Sequence, residues 1–386
     1  MDIINRNNCV ITGKNDLEKL INLEDFPVFI GATSEPFASD KFHDMSWSIS
    51  RKSGVIQLDK LLPLDLVYSG FHSEAVGAVW ENHRIKFSKF IQKNKQDGDI
   101  VEMGGSDGKM ASLYMQTSQN DSALSCKWTI VEPNIPDSIK NLNSNIDYID
   151  GYIEEKINTI NNVTNFVHSH VLEHLYEPKD IINIIAQKQV VGDRTIFAIP
   201  NLKLYVENLF VNALNFEHTY YITDEVVNYL FLQAGYKLVD KELYVNHGIY
   251  YCFEKTDLKD IKTNFSDDLY LENKNAYLNL INFYKNEVNE YNEMINAHDG
   301  DVFLFGGHIF SQFLLYLGLK QDKITSILDN SIQKHNKRLY GYNLIIKNPD
   351  VIKDLNNPLV ILKVGQYFEE VKKQLLSLNI NVKIVK

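Results

Sequence analysis

The sequence predicts an α/β fold in which helices cover mostly parallel sheets. Between residues 99 and 255, short apolar runs rich in β-branched and aromatic residues alternate with helix-like stretches. This alternation is typical of βαβ units. It restarts after Asp301, and one helical pattern separates the two regions. A chain of 386 residues is long enough for two or three domains.

The boundaries of the segments follow from where these patterns change. The first part of the chain has no sustained helical period, whereas Val76, Trp80 and Phe87 fall on one helical face. From Tyr277 to Ile295, apolar residues recur at steps of four and three, which predicts one long helix with a single buried seam. The expected segments are a small N-terminal module at 1–75, a larger α/β domain at 76–270, a linking helix at 271–300 and a smaller C-terminal α/β domain at 301–386.

Composition excludes several classes of partner. The formal net charge of −11 argues against nucleic acid, because phosphate binding needs a basic face. Three scattered cysteines are too few for a disulfide framework, and the first residues show no secretory leader, so we expect a cytoplasmic protein. Residues 302–319 approach the length of a membrane span, but a strand, a glycine turn and a helix explain them better.

A glycine-rich loop follows the first strand of the larger domain, in the stretch "DIVEMGGSDGKM". A pyrophosphate-binding loop reads G-x-G-x-x-G, whereas Glu102, Gly104 and Gly108 form E-x-G-x-x-x-G. Ser106 and Asp107 place bulk and negative charge where a pyrophosphate would lie. A cofactor with adenosine but no phosphates fits better, and S-adenosylmethionine is the expected one. The expected cofactor contacts in the loop are Glu102, Gly104, Gly105, Ser106 and Gly108.

An acid at the end of the next strand completes such a site. "WTIVEP" ends in Glu132, 28 residues after Gly104, where a carboxylate can accept hydrogen bonds from both ribose hydroxyls. The alternative is a tight strand-to-helix turn followed by a solvated strand end.

With these motifs, the chain resembles the sugar C-methyltransferases of deoxysugar biosynthesis. Members of that family join an N-terminal zinc-binding module, a class I methyltransferase domain and a C-terminal Rossmann-like domain. The resemblance runs along nearly the whole chain, through "VEMGGSDG", "SHVLEH", "FEHTYYIT", "NHGIYY" and "LFGGHIFSQFLL". It implies transfer of a methyl group from S-adenosylmethionine to a sugar, which we expect to be nucleotide-activated.

Two departures from the family pattern are informative. The family has two C-x-x-C pairs in the zinc module, but here the positions are Cys9, Thr12, Ser50 and Ser53. Hydroxyls are poor zinc ligands, so we expect no metal in the module. Asn215 stands where the family typically has a tyrosine, which leaves open whether carbon, oxygen or nitrogen is methylated.

The expected catalytic residues are His218, Glu217 and His174. The resemblance places Glu217 and His218 at the acceptor, where a carboxylate beside an imidazole would assist a general base. His174 should lie near the methyl group, whereas its neighbours His168 and His170 are weaker candidates. No metal is expected, because no carboxylate set or cysteine accompanies these histidines at ligand spacing.

The C-terminal domain repeats part of the cofactor pattern. Gly306 and Gly307 follow its first strand, and Asp329 ends the next one 23 residues after Gly306. The side chains around the glycines crowd the turn, so we expect this domain to contact the sugar nucleotide through Lys334 rather than bind a second cofactor. A nicotinamide-dependent oxidoreductase and a catalytically silent binding protein stay open as alternatives, and the oligomeric state is not indicated.

Overall fold

The computed structural model describes residues 3–68, 78–118, 126–135, 145–160, 163–258 and 264–386. Val76 and the expected boundary at residues 75 and 76 lie outside these ranges. Within them, the alternating strands and helices of the sequence form the α/β fold expected from it.

The N-terminal module is built from short antiparallel strands. Its strands are β1 Ile4–Asn5, β2 Leu17–Pro27, β3 Ala32–Thr33, β4 Phe42–Ser50, β5 Ile56–Leu58 and β6 Lys60–Leu61, and its helix is α1 Leu64–Val67. β4 lies between β2 and β5 in a three-stranded sheet, and β1 pairs with β6.

The four positions that correspond to zinc ligands in the resembled family are satisfied by hydrogen bonds. Cys9 Sγ lies 3.5 Å from Ser53 Oγ, and Ser50 Oγ donates to the carboxylate of Asp16 at 2.9 Å. Thr12 Oγ1 accepts from a backbone N–H of its own turn at 3.3 Å. Each of these side chains therefore has a partner within the module, and zinc-independent folding of the module stays a prediction.

The larger domain contains a sheet of seven strands. Its elements are α2 Ala78–Asn94, β7 Ile100–Met103, α3 Lys109–Ser118, β8 Trp128–Glu132, β9 Ile146–Asp150, α4 Ile153–Lys156, β10 Asn165–Ser169, α5 Pro178–Lys188, β11 Arg194–Pro200, α6 Leu202–Glu207, α7 Asp224–Gln233, β12 Tyr236–Tyr244 and β13 Gly248–Lys255. The strand order is β9-β8-β7-β10-β11-β13-β12, and the first five strands are parallel. β13 is antiparallel to both of its neighbours.

This order creates a switch point between β7 and β10. The chain leaves β7 toward β8 and β9 on one side, then returns to β10 on the other side. Ligands of doubly wound sheets bind at the carboxyl ends of the strands beside such a point. The glycine loop after β7 and the segment after β10 therefore face the same crevice.

The linking helix is α8, Leu269–Asn296. Its predicted seam is buried, from Tyr277 through Tyr284 to Ile295. The first turn packs on the N-terminal module so closely that a Cβ at Gly54 would lie 2.7 Å from the Leu269 backbone. Glycine is therefore required at position 54.

The C-terminal domain is a second parallel sheet. Its elements are β14 Val302–Phe305, α9 Ile309–Tyr316, β15 Ser326–Leu328, β16 Arg338–Leu339, β17 Ile346–Lys347, β18 Leu359–Ile361, α10 Phe368–Leu378 and β19 Lys383–Val385. Five strands have the order β17-β15-β14-β18-β19. The apolar stretch from residue 302 forms β14, a glycine turn and α9, as expected. Among the described helices, none combines the length and apolarity needed to cross a membrane.

The first and last domains are joined directly. β3 pairs antiparallel with β16, and the Arg338 guanidinium donates to both carboxylate oxygens of Asp40 at 2.5 and 2.6 Å. Buried apolar residues form one continuous core from the N-terminal module through α8 to α9. The described part of the chain is thus packed as one unit around the larger sheet.

Candidate active site

A cavity of about 650 Å³ opens at the carboxyl ends of β7, β8 and β10. All three domains line it. Leu64 and Tyr68 come from the N-terminal module, and Phe310 and Tyr367 come from the C-terminal domain. The C-terminal domain therefore contributes apolar and aromatic side chains to the cavity lining, and its contact with a sugar nucleotide stays a prediction.

The glycine loop forms one wall of this cavity. Gly104 and Ser106 have positive φ values of 70° and 47°, so the chain turns sharply after the buried strand β7. A Cβ at Gly104 would lie 2.6 Å from a methyl group of Val171. Glycine at this position lets the loop approach the segment that follows β10, so the two strand ends share one cavity.

Glu132 lies on the same wall, at the end of β8. Its carboxylate accepts hydrogen bonds from the backbone N–H groups of Ser106, at 3.1 Å, and Asn134, at 3.0 Å. These bonds orient the carboxylate beside the glycine loop. Of the predicted cofactor residues, Gly104, Ser106 and Glu132 line the cavity.

Glu102, Gly105 and Gly108 are not part of the described lining, and their contacts with the cofactor stay predictions. Glu102 is buried and accepts a hydrogen bond from Trp128 Nε1 at 2.8 Å. Burial raises the pKa of its carboxyl to about 8, despite the indole hydrogen bond. A Cβ at Gly105 would lie 2.9 Å from a Glu102 carboxylate oxygen. Glu102 therefore supports the loop from beneath.

The predicted catalytic residues come together in the lining of the same cavity. A 3₁₀ turn, Leu172–His174, follows β10 and presents Glu173 and His174. The rings of His174 and His218 lie 5.2 Å apart, and Glu217 Oε2 lies 3.9 Å from His174 Nδ1. The structure thus places Glu217 beside His174, whereas the sequence predicted it as the helper of His218.

Asn215 holds the segment that carries Glu217 and His218. Its Oδ1 accepts from the backbone N–H groups of Glu217, at 2.8 Å, and His218, at 2.7 Å. Its Nδ2 lies 3.2 Å from His218 Nδ1. Asn215 therefore positions both Glu217 and His218.

Burial controls the protonation of this cluster. Burial and the neighbouring His174 lower the pKa of His218 to about 3, and the charge of Glu217 opposes this only in part. Burial raises the pKa of Glu173 to about 8. His218 is therefore neutral near pH 7, as a base must be, but it is weakly basic.

Glu173 and several aromatic residues were missed by the sequence analysis. Glu173 stands next to His174 and is fully buried in the cavity wall. It corrects the argument that no carboxylate accompanies the histidines. The sequence feature that could have identified Glu173 is an acid within the apolar run "VLEH". Aromatic residues that line the cavity without any such signal are Tyr68, Tyr152, Tyr205, Phe210 and Tyr367.

A second histidine cluster also lines the cavity. Trp80, His170 and His247 line it, and the Trp80 ring lies 4.9 Å from His170 and 4.6 Å from His247. Burial lowers the pKa of His247 to about 4 and that of His170 well below its ordinary value. His168 instead stacks on a phenylalanine ring in the core, consistent with its weaker standing as a candidate.

The glycine turn of the C-terminal domain differs in its surroundings. Asp329 Oδ2 accepts from the backbone N–H of Gly307 at 2.8 Å and lies 3.1 Å from Lys334 Nζ. A Cβ at Gly306 would lie 2.4 Å from the His308 ring. Lys334, expected to contact the substrate, thus pairs with Asp329 and is absent from the described cavity lining.

Comparison with known proteins gives structural neighbours only. N-methyltransferase NodS from Bradyrhizobium japonicum WM9 is 12% identical, with a TM-score of 0.34, over 46% of this chain and 97% of that one. The dimethyltransferase RosA from Streptomyces davawensis is 14% identical, with a TM-score of 0.37, over 46% and 56%. CurJ carbon methyltransferase is 10% identical, with a TM-score of 0.36, over 47% and 56%.

Likeness at this level carries no argument about activity or substrate. No protein-family model matches the chain, and no curated protein matches it. The sheet order itself supports the predicted Rossmann-like fold of the class I methyltransferase type, because β9-β8-β7-β10-β11 reproduces the 3-2-1-4-5 order of a doubly wound sheet.

Proposed function

We propose that the chain is an S-adenosylmethionine-dependent methyltransferase that acts on a sugar. The observation that carries this proposal is the position of Glu132. It stands beside the glycine loop on the wall of a cavity that continues to His174 and His218. A cofactor held by Glu132 and the glycine loop would therefore share the cavity with these polar side chains.

The residues of the loop suit adenosine without phosphates. Ser106 N–H, which a pyrophosphate would need, donates to Glu132. Asp107 lies in the same loop and pairs with Lys109, and its negative charge acts on Glu102 beneath. Glu132 would hold the ribose hydroxyls, and the Gly104 backbone would lie against the cofactor. A pyrophosphate here would lie beside the Glu132 carboxylate and the Asp107 loop without the Ser106 N–H as a donor, so a nicotinamide dinucleotide fits poorly.

The chemistry assigns distinct tasks to the chain. S-adenosylmethionine supplies a methyl group carried on a sulfonium. The protein must align the acceptor atom about 3 Å from that methyl carbon and receive the acceptor proton. We propose that His174, Glu217 and His218 perform these tasks together, because they share one wall. The sequence assigned the proton to His218, and its weak basicity makes a carboxylate of this cluster the better acceptor.

The proposed acceptor is a sugar on the strength of the family resemblance. A nucleotide-activated sugar would also bring a diphosphate, which proteins bind with Lys, Arg or helix N-termini. The described lining contains four glutamates and neither lysine nor arginine. We therefore propose the sugar and leave its nucleotide as a prediction.

Isothermal titration of the full chain tests the cofactor. S-adenosylhomocysteine should bind with one site per chain, and NAD should not bind measurably. Incubation with methyl-labelled S-adenosylmethionine and a panel of sugars, with and without nucleotide, should then label a sugar. NAD binding in place of S-adenosylhomocysteine would overturn the proposal, and cofactor binding without transfer to any acceptor would support a silent binding protein.

A further inference from the structure

The Glu173 side chain is a buried carboxylate that lines the cavity. It has no exposed surface, and neither carboxylate oxygen has a hydrogen-bond partner in the described structure. Its backbone is held in place, since Thr219 N–H donates to the Glu173 carbonyl at 3.0 Å. Buried polar groups in native proteins are nearly always satisfied. A carboxylate fixed in this way indicates a ligand that belongs to the site.

Two imidazoles stand beside this carboxylate. Glu173, His174 and His218 each offer one ligand atom, and these atoms lie within 4.8 Å of one another. Ligand atoms bound to one cation at about 2.0–2.2 Å are at most about 4.4 Å apart. Small side-chain rotations would therefore bring all three atoms into one coordination sphere.

The surrounding charge favours a cation. The described lining holds Glu132, Glu154 and Glu217 besides Glu173, and no lysine or arginine. Glu217 lies 3.9 Å from His174 Nδ1, on the opposite side of the ring from Glu173, which lies 3.7 Å from His174 Nε2. Metal-bound histidines typically direct their other ring nitrogen to a carboxylate. Glu217 would therefore orient His174.

We propose that Glu173, His174 and His218 form a site for a divalent cation at the acceptor end of the cavity. Two imidazoles and one carboxylate suit a transition cation such as Mn²⁺ or Zn²⁺, whereas Mg²⁺ and Ca²⁺ prefer oxygen ligands. Three protein ligands leave coordination positions for two hydroxyl oxygens of a sugar. This inference rests on the proposed function for its substrate, but the site itself can be tested separately.

A bound cation would change the roles of His218 and Glu217 in the reaction. His218 becomes a ligand, and the acceptor is a hydroxyl whose pKa is lowered by the bound cation. The hydroxyl proton passes to the Glu217 carboxylate. The acceptor oxygen forms the new O–CH₃ bond while the S–CH₃ bond breaks, and that electron pair stays on sulfur. A bound cation would thus make loss of the hydroxyl proton easier at neutral pH.

The test is titration of Mn²⁺ into the chelator-treated full chain saturated with S-adenosylhomocysteine. Mn²⁺ is the probe because cysteine thiolates hold it weakly. One site per chain is expected. Glu173→Gln should weaken it by more than about 100-fold, since even outer partners of metal ligands contribute about 10- to 100-fold. Mn²⁺ electron paramagnetic resonance gives a second readout that does not depend on activity.

A matched control is Glu154→Gln, because Glu154 lines the same cavity outside the cluster. It should leave Mn²⁺ binding unchanged. His174→Ala provides a second cluster variant if Glu173→Gln does not fold. Absence of saturable Mn²⁺ binding, or binding that survives both cluster variants, overturns the inference. Failure of S-adenosylhomocysteine to bind in the same sample instead overturns the proposed function, so the two failures are distinguishable.

Discussion

The chain contains two units of strand, glycine turn and acidic strand end, and they differ in what surrounds the acid. In the larger domain, Glu132 accepts from two backbone N–H groups and lies on the cavity wall. In the C-terminal domain, Asp329 accepts from Gly307 N–H and pairs with Lys334, and the His308 ring covers Gly306. The glycine turn of the first unit borders the open cavity, whereas the space beside the second glycine turn is filled by side chains of its own unit.

This difference shows that a shared backbone pattern does not define a cofactor site. Both units place an acid near a glycine turn at the carboxyl ends of parallel strands. The two units differ in the side chain that lies two residues after the first glycine. Ser106 leaves the cavity accessible, whereas His308 occupies the equivalent space and caps α9 through its Nδ1. The following predictions test the comparison, beginning with the largest effect.

Replacement of His218, which lines the cavity, should lower turnover, whereas replacement of His308 in the second unit should not. His218→Ala should lower turnover by about 10²- to 10⁴-fold with nearly unchanged S-adenosylhomocysteine affinity, whether His218 acts as base or as ligand. The matched variant His308→Ala should leave turnover close to that of the wild type. Steady-state assays with labelled S-adenosylmethionine measure both. Equal losses in the two variants would remove the functional distinction between the units.

Replacement of the acid in each unit should show that Glu132 contributes to cofactor binding and that Asp329 does not. Glu132→Ala should weaken S-adenosylhomocysteine binding by one to two orders of magnitude, because a hydrogen bond to a charged group contributes about 1.5–3 kcal/mol. Asp329→Asn should leave that affinity unchanged. Isothermal titration of both variants provides the measurement. Unchanged affinity in Glu132→Ala would exclude Glu132 from the cofactor site.

Two acids near the glycine turns, Glu102 in the first unit and Asp329 in the second, should contribute to stability with opposite pH dependence. Burial raises the pKa of Glu102 to about 8, so its contribution is fully present below its ordinary pKa and is lost as the pH rises through about 8. Burial alone would raise the pKa of Asp329, but Lys334 and two backbone N–H groups hold it below its ordinary value. The Asp329 contribution is therefore present above its ordinary pKa and is lost as the pH falls through the lowered one.

The measurement is the free energy of unfolding between about pH 5 and pH 8. The wild type should lose stability relative to Glu102→Gln as the pH rises over this range, because the amide does not titrate. Buried histidines such as His218 and His247 gain stability with rising pH, but they do so in both proteins and cancel in the difference. Gln can also still accept from Trp128. An identical pH dependence in the wild type and Glu102→Gln would show that Glu102 titrates near its ordinary pKa.

The sequence predicted most of the fold. Whether it could also predict the position of a site residue depended on whether that position follows from the order of the strands or from a long-range contact. Gly104 and Glu132 were accessible to prediction, because strand ends of a parallel sheet meet at one edge. Glu173 was not, because its importance depends on a long-range approach of the His218 segment, which periodicity does not report. Lys334 was assigned to the substrate because an exposed lysine and one paired with a nearby Asp329 look alike in sequence.

The pairing of β3 with β16 has a consequence for how the chain folds during synthesis. Arg338 and its partner Asp40 are separated by 298 positions, so the N-terminal module emerges long before the strand and the ion pair that complete it. Closing so long a loop costs conformational entropy and slows folding. Until β16 has left the ribosome, Asp40 and the edge of β3 remain uncovered. A nascent chain halted before residue 338 should therefore be a substrate for chaperones, and full protection of the module should arrive only after β16 has been synthesised.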